Sequence, residues 1–323
     1  MDRQAQIEFL DPFRRIGLLT GLVAATAGTV IPLLVDMKVD WISFLPLVLL
    51  TAMIVWPWPY FVWRRMTRLQ VAAEGFVLTF LMSIPILVLS YSAMKLDFPL
   101  ADSTLAGMDA WFGFDVPAIV LAVDRHPMLA DLLRQAYRSL SPQLLLLPVI
   151  LALAGRFARV YGLAACYFIL CAISFLITIF FPAIGTIVHY GLGNGQLAHV
   201  SDYYGHHFLA SFTAVREDPA FVLSLGVASG IVTFPSIHAG MAVLCAWAAW
   251  PLRLIRWPML ALNAAMFASA ISNGSHYVVD VVAGGLIACL AIAIVRSLFA
   301  RAARPGTVSP SGRDAPAGAA AAH

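Results

Sequence analysis

Residues 161–182 read YGLAACYFILCAISFLITIFFP, a run of 22 residues without a charged side chain. About 20 apolar residues are enough for a helix to cross the hydrocarbon core of a bilayer. The whole chain has the same character, because 61% of its 323 residues are hydrophobic, only 11% are charged, and the mean hydropathy is +0.86. Soluble domains carry about 25% charged residues. The composition therefore excludes a water-soluble domain, a disordered chain and a nucleic-acid-binding protein.

Other apolar runs lie on both sides of this one. They predict an all-α polytopic membrane helix bundle of about eight transmembrane helices, at residues 16–35, 41–63, 75–95, 139–154, 161–182, 235–252, 257–273 and 276–296. The apolar stretch 221–250 is too long for one crossing at a rise of about 1.5 Å per residue. We expect it to break at Pro235, with a shorter helix or a re-entrant segment before the break.

The positive charges predict an orientation for this bundle. With both termini inside (N-in/C-in), the inner segments contain 14 of the 20 Lys and Arg residues, and the outer segments contain 12 of the 17 Asp and Glu residues. Cytoplasmic connections of membrane proteins are enriched in Lys and Arg. Seven of the eight histidines then fall on the outer side.

One of these histidines begins the last predicted span, in the motif His276-Tyr277-Val278-Val279-Asp280. His276 and Asp280 are four residues apart and so share a helix face. Asp280 lies about one turn into an apolar span, where an ionisable residue suggests a function. An aspartate bound to one imidazole nitrogen leaves the other as a nucleophile or base. The alternative is that Asp280 only complements the helix dipole.

A second outer histidine begins another predicted span, in Phe234-Pro235-Ser236-Ile237-His238. Proline is favoured at the first turn of a helix. The free N–H groups after it, together with the Ser236 hydroxyl, could bind an anion at the positive end of the helix dipole. His238 would then be placed to donate a proton to a leaving oxygen. The alternative is an ordinary helix start with an interfacial histidine.

The two motifs are separated by one crossing in and one crossing out. Both should therefore face the same side of the membrane at similar depth, which is the arrangement needed for in-line attack on a phosphoryl group. The four cysteines form no C-x-x-C pair, and His206, His207 and Asp202 lack the spacing of a metal-binding motif. We therefore expect no metal site.

The pair P-S-x-H and H-x-x-x-D resembles the motifs of the phosphatidic acid phosphatase type 2 superfamily. Phe234-Pro235-Ser236-Ile237-His238-Ala239-Gly240 is more similar to its inositol phosphorylceramide synthase branch, an inositolphosphotransferase group, than to the P-S-G-H phosphatases. Phe181-Pro182-Ala183, and Gly113-Phe114-Asp115 followed by Tyr137, are also similar to that branch. The resemblance implies a catalytic domain at 101–300, which follows the N-terminal transmembrane helices predicted at 1–100. Residues 301–323 are rich in Ala, Pro, Gly and Ser, which predicts a disordered cytoplasmic tail.

The resemblance also implies a mechanism without metal or cofactor. His276 would attack phosphorus and become a phosphohistidine, Asp280 would orient it, and His238 would protonate the departing alcohol. Two departures affect phosphate binding. The superfamily's K-x6-R-P motif is missing, and Ala270 stands where an arginine usually precedes the second histidine. Arg216 is the best replacement, although Glu217 and Asp218 beside it also allow a solvated surface cluster.

These observations predict an integral membrane lipid phosphotransferase. It would move a phospho-headgroup from a phospholipid donor to a lipid hydroxyl acceptor, with Ser236, Arg216 and Tyr137 contacting substrate. The first alternative is a lipid phosphate phosphatase that uses the same residues on phosphatidic acid or an isoprenyl pyrophosphate. A more remote alternative is a proton-coupled transporter or flippase. The few lysines and many Ala and Arg residues suggest a GC-rich bacterium, and so an inner-membrane protein with a periplasmic active site. The sequence leaves the lipids and the oligomeric state open.

Overall fold

A computed structural model describes residues 3–193 and 195–302, with side chains from Pro12 onward. Helices account for 73% of the residues, which confirms the all-α bundle. The described part contains two strands of two residues each. They are β1 (Lys38–Val39) and β2 (Val222–Leu223), which pair in parallel with Lys38 opposite Val222.

The N-terminal third forms five helices that follow the first three predicted spans. A 3₁₀ turn at Trp41–Phe44 precedes the second of them. The helices are α1 (Arg3–Leu34), α2 (Leu45–Val55), α3 (Trp58–Trp63), α4 (Thr67–Phe80) and α5 (Ser83–Met94). The predicted spans 41–63 and 75–95 are thus each built from two helices. For span 41–63, the prolines at the start of α3 are part of the reason, because proline has no N–H to continue a preceding helix.

The middle of the chain is more helical than the sequence indicated. The helices are α6 (Asp102–Trp111), α7 (Val116–Asp124), α8 (Pro127–Arg138), α9 (Leu140–Leu153) and α10 (Phe157–Phe180). Helices α6 to α8 fill a region that contains no predicted span. They are short because Pro117 and Pro127 each begin a new helix.

The C-terminal part contains three short helices in an otherwise irregular segment, followed by three longer helices. The helices are α11 (Thr186–His189), α12 (Tyr203–His206), α13 (Leu209–Glu217), α14 (Ile237–Ala249), α15 (Arg256–Asn273) and α16 (Val278–Ala302). The predicted break at Pro235 is confirmed, since α14 begins two residues later. The shorter helix expected before the break is wrong, because residues 218–235 contain no helix and only the strand β2. A re-entrant segment there stays a prediction.

Five helical segments are long and apolar enough to cross a membrane, or up to seven if each strongly bent pair counts as one crossing. The predicted count of eight is therefore not confirmed. Helix α14, with 13 residues, is shorter than a standard crossing. Helix α16 continues two residues into the predicted tail, whose remaining residues 303–323 lie outside the described part.

Helix α10, which contains most of the apolar run 161–182, lies at the centre of the bundle. It packs against α1, α4, α5, α14 and α16. Leu163, Ala164 and Leu170 on this helix are fully buried. Large apolar side chains such as Leu22, Met53 and Leu286 are instead exposed on the outside. This pattern is expected of a protein whose outer surface faces lipid.

The starts of α14 and α16 are pressed together, which places the two predicted motifs side by side. A Cβ at Gly284 would lie 2.1 Å from the carbonyl oxygen of Ser236, so this approach requires glycine. Nearby, the Ser236 N–H donates to the Asp280 carbonyl at 3.1 Å. The two histidine-bearing helix starts therefore lie at the same end of the bundle.

Candidate active site

The turn between α15 and α16 carries His276. Its ring is 3% exposed, and Nδ1 lies 3.3 Å from Oδ2 of Asp280, which is fully buried. The same carboxylate oxygen accepts the Tyr277 N–H at 3.0 Å. The predicted contact is present, but His276 lies in the turn before α16 rather than on the helix, so the turn and not a shared helix face brings the imidazole to Asp280.

His276 precedes the membrane-spanning helix and has a perturbed acidity. Burial lowers the pKa of His276 to about 4, and this effect outweighs a hydrogen bond to the Thr233 carbonyl. Burial thus favours the uncharged imidazole, whose contact with Asp280 orients the ring. When Nδ1 faces Asp280, Nε2 is the nitrogen that faces Thr233 or, without its proton, can attack as a nucleophile.

Two aspartates on α6 hold this turn from the other side. Oxygens of Asp109, which is fully buried, accept the N–H groups of Val278 at 2.8 Å and Val279 at 2.9 Å. Asp102 accepts the Tyr277 hydroxyl at 2.9 Å. Asp109 and Asp280 thus satisfy N–H groups that the start of α16 would otherwise leave unpaired, whereas Asp102 holds the Tyr277 side chain. The position of His276 is thus fixed by residues about 170 positions earlier in the chain.

Replacing Asp109 with asparagine is expected to lower turnover by about 10-fold to 100-fold. The asparagine oxygen can accept one hydrogen bond, but its NH2 group cannot accept the other, so one of the two helix-start N–H groups loses its partner and His276 moves with the turn. Turnover per folded molecule is measured on purified protein. The matched control is Asp115→Asn, which alters an exposed aspartate that accepts the Ala118 N–H at the start of α7. Equal turnover of the two variants would show that Asp109 does not position His276.

His238 lies in the first turn of α14 and stacks on Tyr137 of α8. The ring centroids are 4.1 Å apart and the planes differ by 8°. Tyr204 packs against the same tyrosine at 5.0 Å. A Cβ at Gly274 would lie 2.8 Å from the Tyr137 ring and 2.7 Å from the His276 ring, so glycine is needed where these rings converge. Tyr137 therefore lies beside both histidines.

His238, His276 and Tyr137 all line one cavity of about 250 Å³. Most of its wall is apolar and comes from α5, α10 and the residues before α14, including Ile86, Phe175, Phe208, Ile231 and Val232. Hydroxyl groups of Ser90, Tyr167, Tyr204 and Thr233 add polarity. The cavity can thus hold the polar reacting group of a ligand next to the histidines and an apolar part of the same ligand against the apolar wall.

The other two predicted substrate contacts lie elsewhere. Ser236 is fully buried, and its Oγ accepts the Ala239 N–H at 3.3 Å, so it caps α14. Arg216 pairs with Asp97 at 2.6 Å and donates to the Phe98 carbonyl at 2.8 Å. Neither residue lines the cavity. Their roles in binding stay predictions, and none of the described residues that line the cavity is Lys or Arg.

The sequence reasoning missed Asp102, Asp109 and Asp124. Asp124 accepts three N–H groups at residues 198–200 and so ties the outer segment to α7. One signal was available, because each aspartate lies in a stretch rich in apolar residues, where a carboxylate needs a partner. The partner of each aspartate could not be predicted, because these contacts join residues more than 70 positions apart in the chain.

The bundle and this cavity together define a polytopic membrane protein with a buried histidine–aspartate site at one end. A family model described as the PAP2 superfamily matches residues 103–294, which include both histidine motifs. The chain therefore belongs to the PAP2 superfamily of phosphatases and phosphotransferases, as its motifs predicted. No curated protein and no solved structure matches the chain. The match lies inside the predicted catalytic segment 101–300, whose boundaries stay a prediction.

Proposed function

We propose that this protein is an integral membrane lipid phosphotransferase of the inositol phosphorylceramide synthase kind. It would transfer a phospho-headgroup from a phospholipid donor to a lipid hydroxyl through a phosphohistidine, without a metal ion. The observation that carries the proposal is the shared cavity of His276, with Asp280 behind it, and His238. One histidine can act as nucleophile while the other moves protons.

The reaction has two balanced steps. In the first, Nε2 of His276 attacks phosphorus and the bond to the donor alcohol breaks. His238, which takes up a proton from solvent when the anionic phosphate binds beside it, gives that proton to the departing oxygen. In the second, His238 takes a proton from the acceptor hydroxyl, the acceptor oxygen attacks phosphorus, and the bond to Nε2 breaks. Asp280 orients the ring and stabilises the charge that forms on it.

The start of α14 is the proposed binding site for the phosphate. At the start of α16, the carboxylates of Asp109 and Asp280 accept hydrogen bonds from the backbone N–H groups, which are therefore not available to a phosphate. At the start of α14, the cap is the neutral hydroxyl of Ser236, so this end keeps its positive partial charge. Ile237 and His238 in this turn line the cavity. The start of α14 would thus bind the phosphate in place of the Lys and Arg side chains that the superfamily usually provides.

The apolar wall of the cavity favours transfer over hydrolysis. A lipid hydroxyl can enter with its chain against Phe175 and Ile231, whereas water gains nothing from those contacts. Hydrolysis of a lipid phosphate by the same residues is the second candidate, because the hydroxyl-bearing lining also admits water. On the predicted orientation, the site faces the periplasmic side of a bacterial inner membrane.

The testing experiment is a mass-spectrometric assay of purified wild-type and His276→Ala protein in EDTA. The donors are phosphatidic acid, phosphatidylinositol and an isoprenyl pyrophosphate, each with and without ceramide or diacylglycerol. We expect a new headgroup-bearing lipid from wild type when an acceptor is present. Phosphate release without acceptor would identify a phosphatase instead. Absence of any product that depends on His276 would contradict both and favour a transporter.

A further inference from the structure

A groove of about 720 Å³ opens at the opposite end of the bundle from the two histidines. Its walls come from α10, α14, α15 and α16, and are mainly apolar, with Trp247, Leu260 and Phe299 among them. Trp247 lies nine residues after His238 on α14, roughly 13 Å along the helix axis. The groove is therefore separate from the catalytic cavity and faces the other leaflet.

Two arginines, Arg159 and Arg296, share this groove. Arg159 is fixed against the wall, because Nη1 donates to the Trp247 carbonyl at 2.8 Å and the guanidinium lies 4.2 Å from the Trp247 ring centroid. Arg296 is exposed. Among the described residues, no carboxylate forms an ion pair with either side chain. The groove thus combines an apolar wall with two positive charges for which the described side chains, from Pro12 to Ala302, provide no carboxylate counter-ion.

The two arginines indicate which kind of ligand the groove would bind. A single anion between two guanidinium groups would relieve their repulsion and accept several hydrogen bonds from them. The apolar wall beside them requires a ligand with hydrocarbon as well as charge. Basic pockets between transmembrane helices near the cytoplasmic side suit anionic lipid headgroups. We propose that this groove binds an anionic phospholipid of the inner leaflet, with its phosphate between Arg159 and Arg296 and an acyl chain along Trp247, Leu260 and Phe299.

The test is a lipid titration of the purified, delipidated full-length protein, followed by native mass spectrometry. Phosphatidylglycerol and phosphatidylcholine with identical acyl chains are the two probes. We expect phosphatidylglycerol to bind wild type more tightly than phosphatidylcholine. Its affinity should fall by about tenfold or more in Arg159→Gln/Arg296→Gln. Adding the two groove substitutions to His276→Ala should lower the affinity by the same factor as adding them to wild type, which separates this site from the proposed reaction.

The matched control is Arg253→Gln/Arg301→Gln, which removes the same charge at the same end of the bundle, outside the groove. It should keep wild-type affinity. Unchanged binding in the groove variant, equal loss in the control, or equal affinity for both lipids would each overturn the proposal. If the groove double variant does not fold, Arg296→Gln alone replaces it, because that side chain is exposed. Weaker phosphatidylglycerol binding by this variant supports the site, and unchanged binding refutes it.

Discussion

Replacing His276 with alanine is expected to abolish turnover, by roughly 10⁴-fold or more. The reason is that the variant lacks the only atom proposed to bond to phosphorus. His238 shares the cavity but stacks on Tyr137, away from the Asp280 carboxylate that would orient a nucleophile. The measurement is product formation per folded molecule, with folding checked by size-exclusion chromatography in detergent.

The control for this variant is His126→Ala. His126 is an exposed histidine that precedes α8 and does not line the cavity. Its removal should leave turnover within about twofold of wild type, as for other surface substitutions. His276→Gln keeps a polar side chain in the turn and should be as inactive as the alanine variant. Near-normal turnover in either His276 variant would mean that the covalent mechanism is wrong.

Replacing Asp280 with asparagine is expected to lower turnover by about 10² to 10⁴-fold without unfolding the bundle. Asparagine has one acceptor oxygen, which can keep the Tyr277 N–H, but its amide cannot stabilise charge on His276. The ring then loses both its preferred tautomer and its electrostatic support. Asp280 touches the reacting ring rather than the substrate, so the effect should appear in kcat more than in KM.

The control for Asp280 is again Asp115→Asn, the same substitution at an exposed helix start. A merely structural role for Asp280 would reduce the yield of folded protein and leave turnover per folded molecule unchanged. Full activity of Asp280→Asn would show that the Asp280 carboxylate is not needed to orient His276.

The sequence predicted the parts of the fold that depend on local pattern. The apolar run at 161–182 became the central helix α10, and Pro235 ended the preceding irregular segment. The segment around residues 102–138 was less predictable, because its short helices α6 to α8 are stabilised by distant contacts. One example is the pair of hydrogen bonds from the start of α16 to Asp109.

The candidate site was predictable to a similar extent. The contact of His276 with Asp280 was expected from a spacing of four residues on a helix. It is present, although His276 lies in the turn before α16. The proximity of His276 to His238 follows from the order of crossings. The stacking of Tyr137 on His238 joins residues about 100 positions apart, which no local pattern encodes. Arg216 was a reasonable candidate cation in the sequence, yet the fold pairs it with Asp97.

The measurement that tests the central claim most directly is identification of the covalent intermediate. Wild type and His276→Ala are mixed with whichever donor lipid the assay shows to be consumed, quenched at early times under alkaline conditions, and digested for mass spectrometry. We expect an acid-labile phosphoryl or phospho-headgroup adduct on the peptide containing His276. It should be absent from the variant and should disappear when acceptor is added. Turnover without an adduct on His276, or an adduct on His238 instead, would contradict the account.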